Sequence, residues 1–316
     1  MKNLIRNWGV GFPFIARAGC TPEGLEPREG FIQVKGGKVW YRIVGSGTKT
    51  PVLLLHGGPG YPSDYLKPLE RLADERPVIF YDQLGAGRSD RPKDITLWTI
   101  ERFVEELAEV RRALGLKRVH LVAHSWGTTL ATEYMLTKPE GIESVMLASP
   151  CLSSLRWMAD AKRLRSALPE AVRAILDKNE RDGTTDLPEY QEATKEYYRR
   201  HFIRLNPWPP ELENTEAGIG LDVYHTMWGT SEFQATGNLK DYDKTGRLHE
   251  ITVPTLFTAG RYDEATPETV AWYQSLVPRS QFVLFENSAH MAMLEEPDRY
   301  VQVIRDSLRR TERHRR

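Results

Sequence analysis

Three side chains that can act together in nucleophilic catalysis lie far apart in this sequence: Ser125, Asp263 and His290. A serine hydroxyl is too weak an acid to attack a carbonyl at neutral pH, so an imidazole must remove its proton. A carboxylate must in turn hold that imidazole in the correct tautomer. Taken singly, each residue has an ordinary interpretation as a turn or a helix start. The order Ser, Asp, His is that of one large class of hydrolases, and it predicts a catalytic triad.

Ser125 stands at the centre of a predicted strand–turn–helix unit. Residues 118–122 are apolar and β-branched, as in a buried parallel strand, and residues 128–137 have a helical pattern. Between them, Ala123 and Gly127 are small enough for the strand and the helix to approach closely. A sharp turn here lifts the hydroxyl toward substrate, the arrangement called a nucleophile elbow. The usual motif begins with Gly, so Ala123 requires space for one additional methyl group.

The reactive residues follow predicted strands of one parallel sheet. Continuous apolar runs predict buried strands, and alternation around Gly36 and Gly37 predicts a hairpin. The hairpin covers residues 31–44, and the strands cover residues 51–55, 77–81, 118–122, 144–148, 254–259 and 281–285. Because ligands bind beyond the carboxyl ends of the strands in an open parallel sheet, Ser125, Asp263 and His290 should meet at one edge.

Helical patterns between the strands predict helices on both faces of the sheet. They cover residues 66–72, 99–116 and 293–310, and the second has Thr99 as its N-cap and Gly115 as its stop. The alternation ceases where a charged, aromatic-rich helical stretch predicts an inserted cap. The expected organisation is an N-terminal extension (1–29), a core (30–150 and 242–316) and a helical cap (151–241).

A glycine-rich loop at residues 56–60, His-Gly-Gly-Pro-Gly, follows the strand 51–55. The tetrahedral intermediate of acyl transfer carries a negative oxygen, which two preorganised backbone N–H groups stabilise. We expect these donors to be Trp126, directly after the nucleophile, and Gly58, where glycine permits unusual backbone angles. An ordinary Gly-Pro turn explains the glycines but not their position at the carboxyl end of a strand.

Composition argues against other function classes. Lysine plus arginine and aspartate plus glutamate are each 43, which gives no electrostatic basis for nucleic acid or membrane as a partner. Cys20 and Cys151 have no metal-binding spacing, which favours a reducing, cytoplasmic compartment. Pro13 and Arg17 interrupt the first apolar stretch, which favours an extension packed on the core over an export signal. The oligomeric state stays open, with a homo-oligomer as one alternative.

Other polar motifs receive structural interpretations. Residues 82–89 are glycine-rich but lack the Lys-Ser/Thr of a phosphate loop, so we expect a turn beneath the site. His120 and His124, beside the elbow, should pack or orient neighbouring groups. His201 and His225 have no metal-ligand spacing. We expect neither a metal nor an organic cofactor, because a triad generates its own nucleophile.

Three motifs together resemble the prolyl aminopeptidases, also called proline iminopeptidases: residues 56–60, 80–89 and the Ser-Trp-Gly elbow at 125–127. The resemblance extends from the first hairpin to the end of the chain. It implies the α/β-hydrolase fold, with a mostly parallel central sheet, flanking helices and an inserted helical cap. Within the cap, the segments most similar to the tricorn-interacting aminopeptidase branch are residues 188–193, 208–211 and 231–237.

The resemblance also implies a substrate. That branch removes N-terminal residues from short peptides and grips the free α-amino group with acidic side chains. The matching residues are Glu232, in the cap, and Glu264, next to Asp263. Without the resemblance, Glu232 has the ordinary interpretation of a solvated charge at a helix end. A pair of carboxylates would reject N-blocked substrates, which leave buried acids unpaired.

We therefore predict hydrolysis of an N-terminal residue, proline or another apolar one, from short peptides, aminoacyl amides or arylamides. An esterase or amidase of the same fold, without a free-amine requirement, is the main alternative. A catalytically silent protein that binds a ligand through its cap is a third, and an intact triad argues against it. Epoxide hydrolases and haloalkane dehalogenases share the fold but carry aspartate at the position of Ser125.

Overall fold

The computed structural model describes residues 24–231 and 233–313. Most of the predicted N-terminal extension, including Cys20, lies outside these residues, and so does Glu232. Ahead of the first strand, Leu25 forms an antiparallel bridge with Gly47.

An eight-stranded sheet forms the centre of the described fold. Its strands are β1 (Arg28–Val34), β2 (Gly37–Val44), β3 (Val52–Leu55), β4 (Val78–Tyr81), β5 (Val119–His124), β6 (Ile142–Ala148), β7 (Thr255–Gly260) and β8 (Ser280–Phe285). Their order across the sheet is β1-β2-β4-β3-β5-β6-β7-β8. β2 is antiparallel to both neighbours, and every pairing from β4 to β8 is parallel. The predicted hairpin and the predicted parallel strands are confirmed.

Burial of the strands follows from their place in the sheet. Every residue of β3, β4, β5, β6 and β7 is buried, since helices cover both faces of a parallel sheet. The hairpin alternates instead, with Ile32, Val34 and Ile43 buried and Phe31 exposed. This alternation is typical of strands with one face on the core.

Ten α-helices occur in the described residues. They are α1 (Ile100–Ala113), α2 (Trp126–Leu136), α3 (Ser154–Arg165), α4 (Glu170–Asp182), α5 (Pro188–His201), α6 (Pro210–Ala217), α7 (Leu221–Met227), α8 (Pro267–Ser275), α9 (Ala292–Glu295) and α10 (Pro297–Arg313). The predicted cap of α1 is confirmed, because the Thr99 side chain accepts the N–H of Arg102. None of the helices in the described ranges is both long and apolar enough to cross a membrane.

Two predicted helices differ from the structure. Residues 66–72 belong to a longer 3-10 helix, Ser63–Asp74, which contains Pro68. Proline has no N–H to donate to an α-helical ladder. The predicted closing helix, residues 293–310, is divided into α9 and α10. Glu296 precedes Pro297 and has φ −129° and ψ 56°, because a residue before proline is disfavoured in the helical region.

Residues 151–241, here named the inserted segment, lie between β6 and β7 and contribute α3 to α7. No strand of the sheet comes from the described residues of this segment. Its helices enclose a small apolar cluster, Ala161, Leu168, Leu176, Tyr190, Ala193, Tyr197 and Phe233. The segment also contacts the core, since the Tyr65 N–H of the 3-10 helix donates to Thr215 Oγ1 of α6 at 3.0 Å.

Candidate active site

Ser125 occupies a strained turn between β5 and α2. Its φ of 53° lies in the left-handed region, which a residue other than glycine rarely adopts. Thr128 holds the turn, because its N–H and its Oγ1 both donate to the Ser125 carbonyl. Gly127 is required, since an added Cβ would lie 2.2 Å from the Leu55 carbonyl oxygen. Ala123 is fully buried in β5, so the sheet accommodates its methyl group.

Asp263 and His290 form a buried hydrogen-bonded pair, with Asp263 Oδ1 2.8 Å from His290 Nδ1. The same carboxylate accepts hydrogen bonds from Ser149 Oγ at 2.6 Å, Ala265 N–H at 2.8 Å and Gly260 N–H at 3.3 Å. A carboxylate can only accept in its hydrogen bond with the imidazole, so Nδ1 of His290 carries the hydrogen. In the neutral ring, Nε2 then carries no hydrogen, which is the tautomer of a general base.

Ser125, at the elbow, and His290, the partner of Asp263, face one cavity. Ser125, His290, Gly58 and Trp126 all line it. No hydrogen bond joins the Ser125 hydroxyl to the His290 ring in the described part of the chain. Bonds between nucleophile and base commonly tighten only when substrate binds. The structure thus joins Asp263 directly to His290 and places Ser125 on the wall of the same cavity.

Aromatic rings surround the imidazole of His290. Its ring centroid lies 4.6 Å from that of His124 and 5.8 Å from those of Trp157 and Phe202. The backbone N–H of His290 donates to the backbone carbonyl of His201 at 3.2 Å. Because Trp157, His201 and Phe202 belong to the inserted segment, that segment contacts the imidazole-bearing loop directly.

The glycine loop after β3 provides a backbone donor beside the elbow. Gly57 N–H donates to Tyr65 Oη at 2.8 Å. Within the described ranges, Gly58 N–H has no acceptor, nor does Trp126 N–H at the first position of α2. Gly58 has φ 110°, a conformation that glycine adopts readily. Both N–H groups are therefore free to donate to a negative oxygen, and α2 adds the positive end of its dipole.

A histidine and a glutamine connect this loop to the elbow. His56 Nε2 accepts the Gln83 N–H at 2.8 Å, and Gln83 Oε1 accepts Trp126 Nε1–H at 2.9 Å. Burial lowers the pKa of His56 below 6.5, so the ring is neutral near pH 7 and able to accept. The sequence interpretation treated residues 82–89 only as a turn and missed this bridge. The one signal for it was the position of Gln83 just after β4.

The remaining cavity wall is largely aromatic. The inserted segment contributes Cys151, Ser154, Trp157, Phe202, Tyr224, Trp228 and Leu239. An aromatic wall of this kind suits a compact apolar group with few polar contacts.

Comparisons with known proteins cover most of the chain. Residues 50–297 match a family model described as alpha/beta hydrolase fold. A relative from Heyndrickxia coagulans named proline iminopeptidase is 52% identical over 283 residues, which are 89% of this chain and 98% of the relative. The chain belongs to the proline iminopeptidase family.

Two solved structures resemble this member of the family closely. The crystal structure of VinJ has 38% identity and a TM-score of 0.87, covering 90% of this chain and 100% of VinJ. That of proline iminopeptidase from Mycobacterium smegmatis has 33% identity and a TM-score of 0.85, covering 92% and 100%. The family and the α/β-hydrolase fold predicted from the sequence are confirmed.

Of the two acidic residues that the family resemblance implies, Glu264 lies in the described part and Glu232 does not. Glu264 is buried and lines the cavity, with Oε1 3.8 Å from His290 Nδ1. The backbone N–H of Glu264 donates to the His201 carbonyl, which also accepts the backbone N–H of His290. The structure therefore places one of the two acidic groups beside the imidazole.

Two other histidines singled out in the sequence, His201 and His120, lie within hydrogen-bond distance of an oxygen. His201 Nδ1 lies 2.9 Å from the Tyr262 carbonyl, and His120 Nδ1 lies 2.8 Å from Ser144 Oγ. Among the residues that the structure describes, no three His, Cys, Asp or Glu side chains are grouped to hold a metal ion.

Sequence reasoning missed two further groups at the site. Ser149, which donates to Asp263, directly follows β6 and has φ 48°, and its place at a strand end was an available signal. Phe202, which stacks on His290, had no such signal in the sequence, because its position depends on how the inserted segment folds back.

Proposed function

We propose that the chain is a serine aminopeptidase that releases an N-terminal residue, proline or another apolar one, from short peptides and aminoacyl amides. The observation that carries this proposal is the buried hydrogen bond from His290 to Asp263, with the His290 ring on the wall of a cavity that Ser125 and Glu264 also line. The relatives named proline iminopeptidase support the reaction class.

Ser125 is the nucleophile in this proposal. As its Oγ attacks the carbonyl carbon of the first residue, His290 Nε2 takes the hydroxyl proton and Asp263 stabilises the imidazolium. The N–H groups of Gly58 and Trp126 donate to the oxyanion. The imidazolium then gives its proton to the departing amine nitrogen, the C–N bond breaks, and the N-terminal residue remains esterified to Ser125.

Water completes the reaction with the same groups. His290 takes a proton from the water as the water oxygen attacks the ester carbonyl. When the second tetrahedral intermediate collapses, the proton returns to Ser125 Oγ and the free amino acid leaves. His290 thus moves each proton, and the two N–H donors stabilise both oxyanions.

Glu264 and Glu232 bind the substrate ammonium group in this proposal. Glu264 is supported by its burial on the cavity wall, 3.8 Å from His290 Nδ1, and Glu232 by the family resemblance. An N-terminal ammonium lies at a fixed distance from the scissile carbonyl, so an acid beside the base selects substrates with a free N-terminus. A blocked substrate would offer that buried acid no ammonium group to bind.

Residues 151–241 act as a cap over a core of residues 30–150 and 242–316. Support comes from Trp157, Phe202 and Trp228, which the inserted segment contributes to the cavity. Because these rings border the space beside Ser125, the cap sets which N-terminal residue fits. A concave site bordered by the cap favours short peptides over folded proteins.

A panel of prolyl, alanyl and leucyl arylamides, each with a free or an acetylated nitrogen, tests the proposed function. The expected result is turnover of the free-amine substrates alone, with Ser125→Ala as the inactive control. Equal rates on free and acetylated substrates would instead support an esterase or amidase without amine recognition. A folded protein that hydrolyses none of them would contradict the enzymatic assignment and favour ligand binding.

A further inference from the structure

Two buried residues without a role in the proposed chemistry, Tyr65 and His124, connect separate parts of the site. Tyr65 lies in the 3-10 helix, and His124 is the last residue of β5, directly before Ser125. They are 1% and 2% exposed, and both line the cavity. Their rings meet edge to face, with centroids 5.3 Å apart.

Hydrogen bonds through this pair have a defined direction. Gly57 N–H donates to Tyr65 Oη at 2.8 Å, Tyr65 Oη lies 2.9 Å from His124 Nδ1, and His124 Nε2 lies 3.0 Å from the His290 carbonyl oxygen. A carbonyl oxygen only accepts, so the proton of His124 is on Nε2. Nδ1 is therefore the acceptor, and the Tyr65 hydroxyl donates to it.

Burial maintains these protonation states. It is the largest cause that lowers the pKa of His124 well below 6.5, and the neighbouring His290 lowers it further. Burial also raises the pKa of Tyr65 above 10. His124 consequently stays neutral and adds no positive charge beside His290 when that residue becomes an imidazolium.

We propose that Tyr65 and His124 are positioning residues that fix the oxyanion-binding loop relative to the catalytic base. Three successive hydrogen bonds join the Gly57 backbone to the His290 backbone. The loop is also packed tightly here, since a Cβ on Gly57 would lie 3.0 Å from Ser125 Cβ and 3.2 Å from Tyr65 Oη. The inference rests on the proposed function in taking Gly58 and His290 as reacting groups.

Tyr65→Phe removes the central hydroxyl and its two hydrogen bonds. We expect kcat on a prolyl arylamide to fall about tenfold or more while KM changes less than about twofold, because displaced donors weaken the transition state selectively. Tyr134→Phe is the matched control. It also removes a buried hydroxyl, one that accepts a hydrogen bond from Arg111 Nη1 at 2.6 Å. That bond joins α1 to α2, and kcat should not change.

Two variants of His124 distinguish positioning from packing. Glutamine can place an N–H where Nε2 lies and bond the His290 carbonyl, whereas phenylalanine cannot. Because it keeps one of the two bonds made by the ring, His124→Gln should lose less kcat than His124→Phe. Tyr65→Phe combined with His124→Phe should lose no more than His124→Phe alone, because both changes interrupt one chain of bonds.

The proposal is overturned if the kcat losses of Tyr65→Phe and His124→Phe multiply in the double variant. It is also overturned if Tyr65→Phe has the same kcat as Tyr134→Phe. If His124→Phe does not fold, the comparison of kcat between Tyr65→Phe and Tyr134→Phe still tests the proposal. The rate at which a fluorophosphonate labels Ser125 in the same variants gives a readout without amine recognition. Rapid labelling of a wild type that hydrolyses no prolyl arylamide would contradict the peptidase proposal, while the labelling rates would still test Tyr65.

Discussion

Replacing Glu264 by glutamine removes a carboxyl group from the cavity wall and keeps the size of the side chain. The carboxylate is proposed to bind the substrate ammonium, and a hydrogen bond to a charged group is worth about 1.5–3 kcal/mol. Its loss should lower kcat/KM on free-amine substrates about 10- to 150-fold.

The same change has a second effect on the base. Glu264 Oε1 lies 3.8 Å from His290 Nδ1, and two unit charges about 4 Å apart interact by about 4 kcal/mol at an effective dielectric constant of about 20. Asp263, which is closer at 2.8 Å, supplies most of the stabilisation of the imidazolium, so this effect is smaller than that upper value. It acts on every substrate, with or without an amine.

A pair of aryl esters separates the two effects. Prolyl and cyclopentanecarbonyl esters carry the same five-membered ring, with and without the nitrogen. The ratio of their kcat/KM values isolates ammonium binding, because the effect on the base is common to both. We expect this ratio to fall about 10- to 150-fold in Glu264→Gln. An unchanged ratio refutes ammonium binding by Glu264, even if both rates decrease.

Three further predictions address the cap, the elbow and the pH dependence of stability. Glu232→Gln should lower kcat/KM on free-amine substrates about 10- to 100-fold; wild-type kinetics would remove Glu232 from the site. Gly127→Ala puts a Cβ 2.2 Å from the Leu55 carbonyl and should cost at least about 1–3 kcal/mol of stability; an unchanged thermal midpoint would contradict the close strand–helix contact. Burial lowers the pKa values of His56 and His124 below 6.5. Below about that pH, the unfolded chain therefore binds more protons than the folded chain. Urea titrations should show the free energy of unfolding decreasing from pH 7 to pH 5; a flat profile would contradict buried neutral histidines.

The proximity of Ser125, Asp263 and His290 was predictable because sheet topology brings residues that are distant in sequence to the same edge. Ser125 follows β5, and Asp263 and His290 follow β7 and β8, so a parallel sheet brings all three to one edge. The apolar runs that identify these strands are local features of the sequence. The Asp263–His290 hydrogen bond is the direct result of that arrangement.

The supporting residues were not predictable in the same way. Tyr65 meets His124 only because the 3-10 helix packs against the end of β5, and Phe202 meets His290 only because the inserted segment folds back. Such contacts depend on tertiary packing and leave no local periodicity. The division of the closing helix at Pro297 was missed for a different reason, because the apolar periodicity continues across the proline.

The joint action of Ser125, His290 and Asp263 is tested most directly by treating the protein with a fluorophosphonate and mapping the adduct by mass spectrometry. We expect one adduct, on Ser125, that is absent in Ser125→Ala and forms much more slowly in His290→Ala and Asp263→Ala. An adduct on a different serine, or a wild-type labelling rate in folded His290→Ala, would contradict the proposed triad.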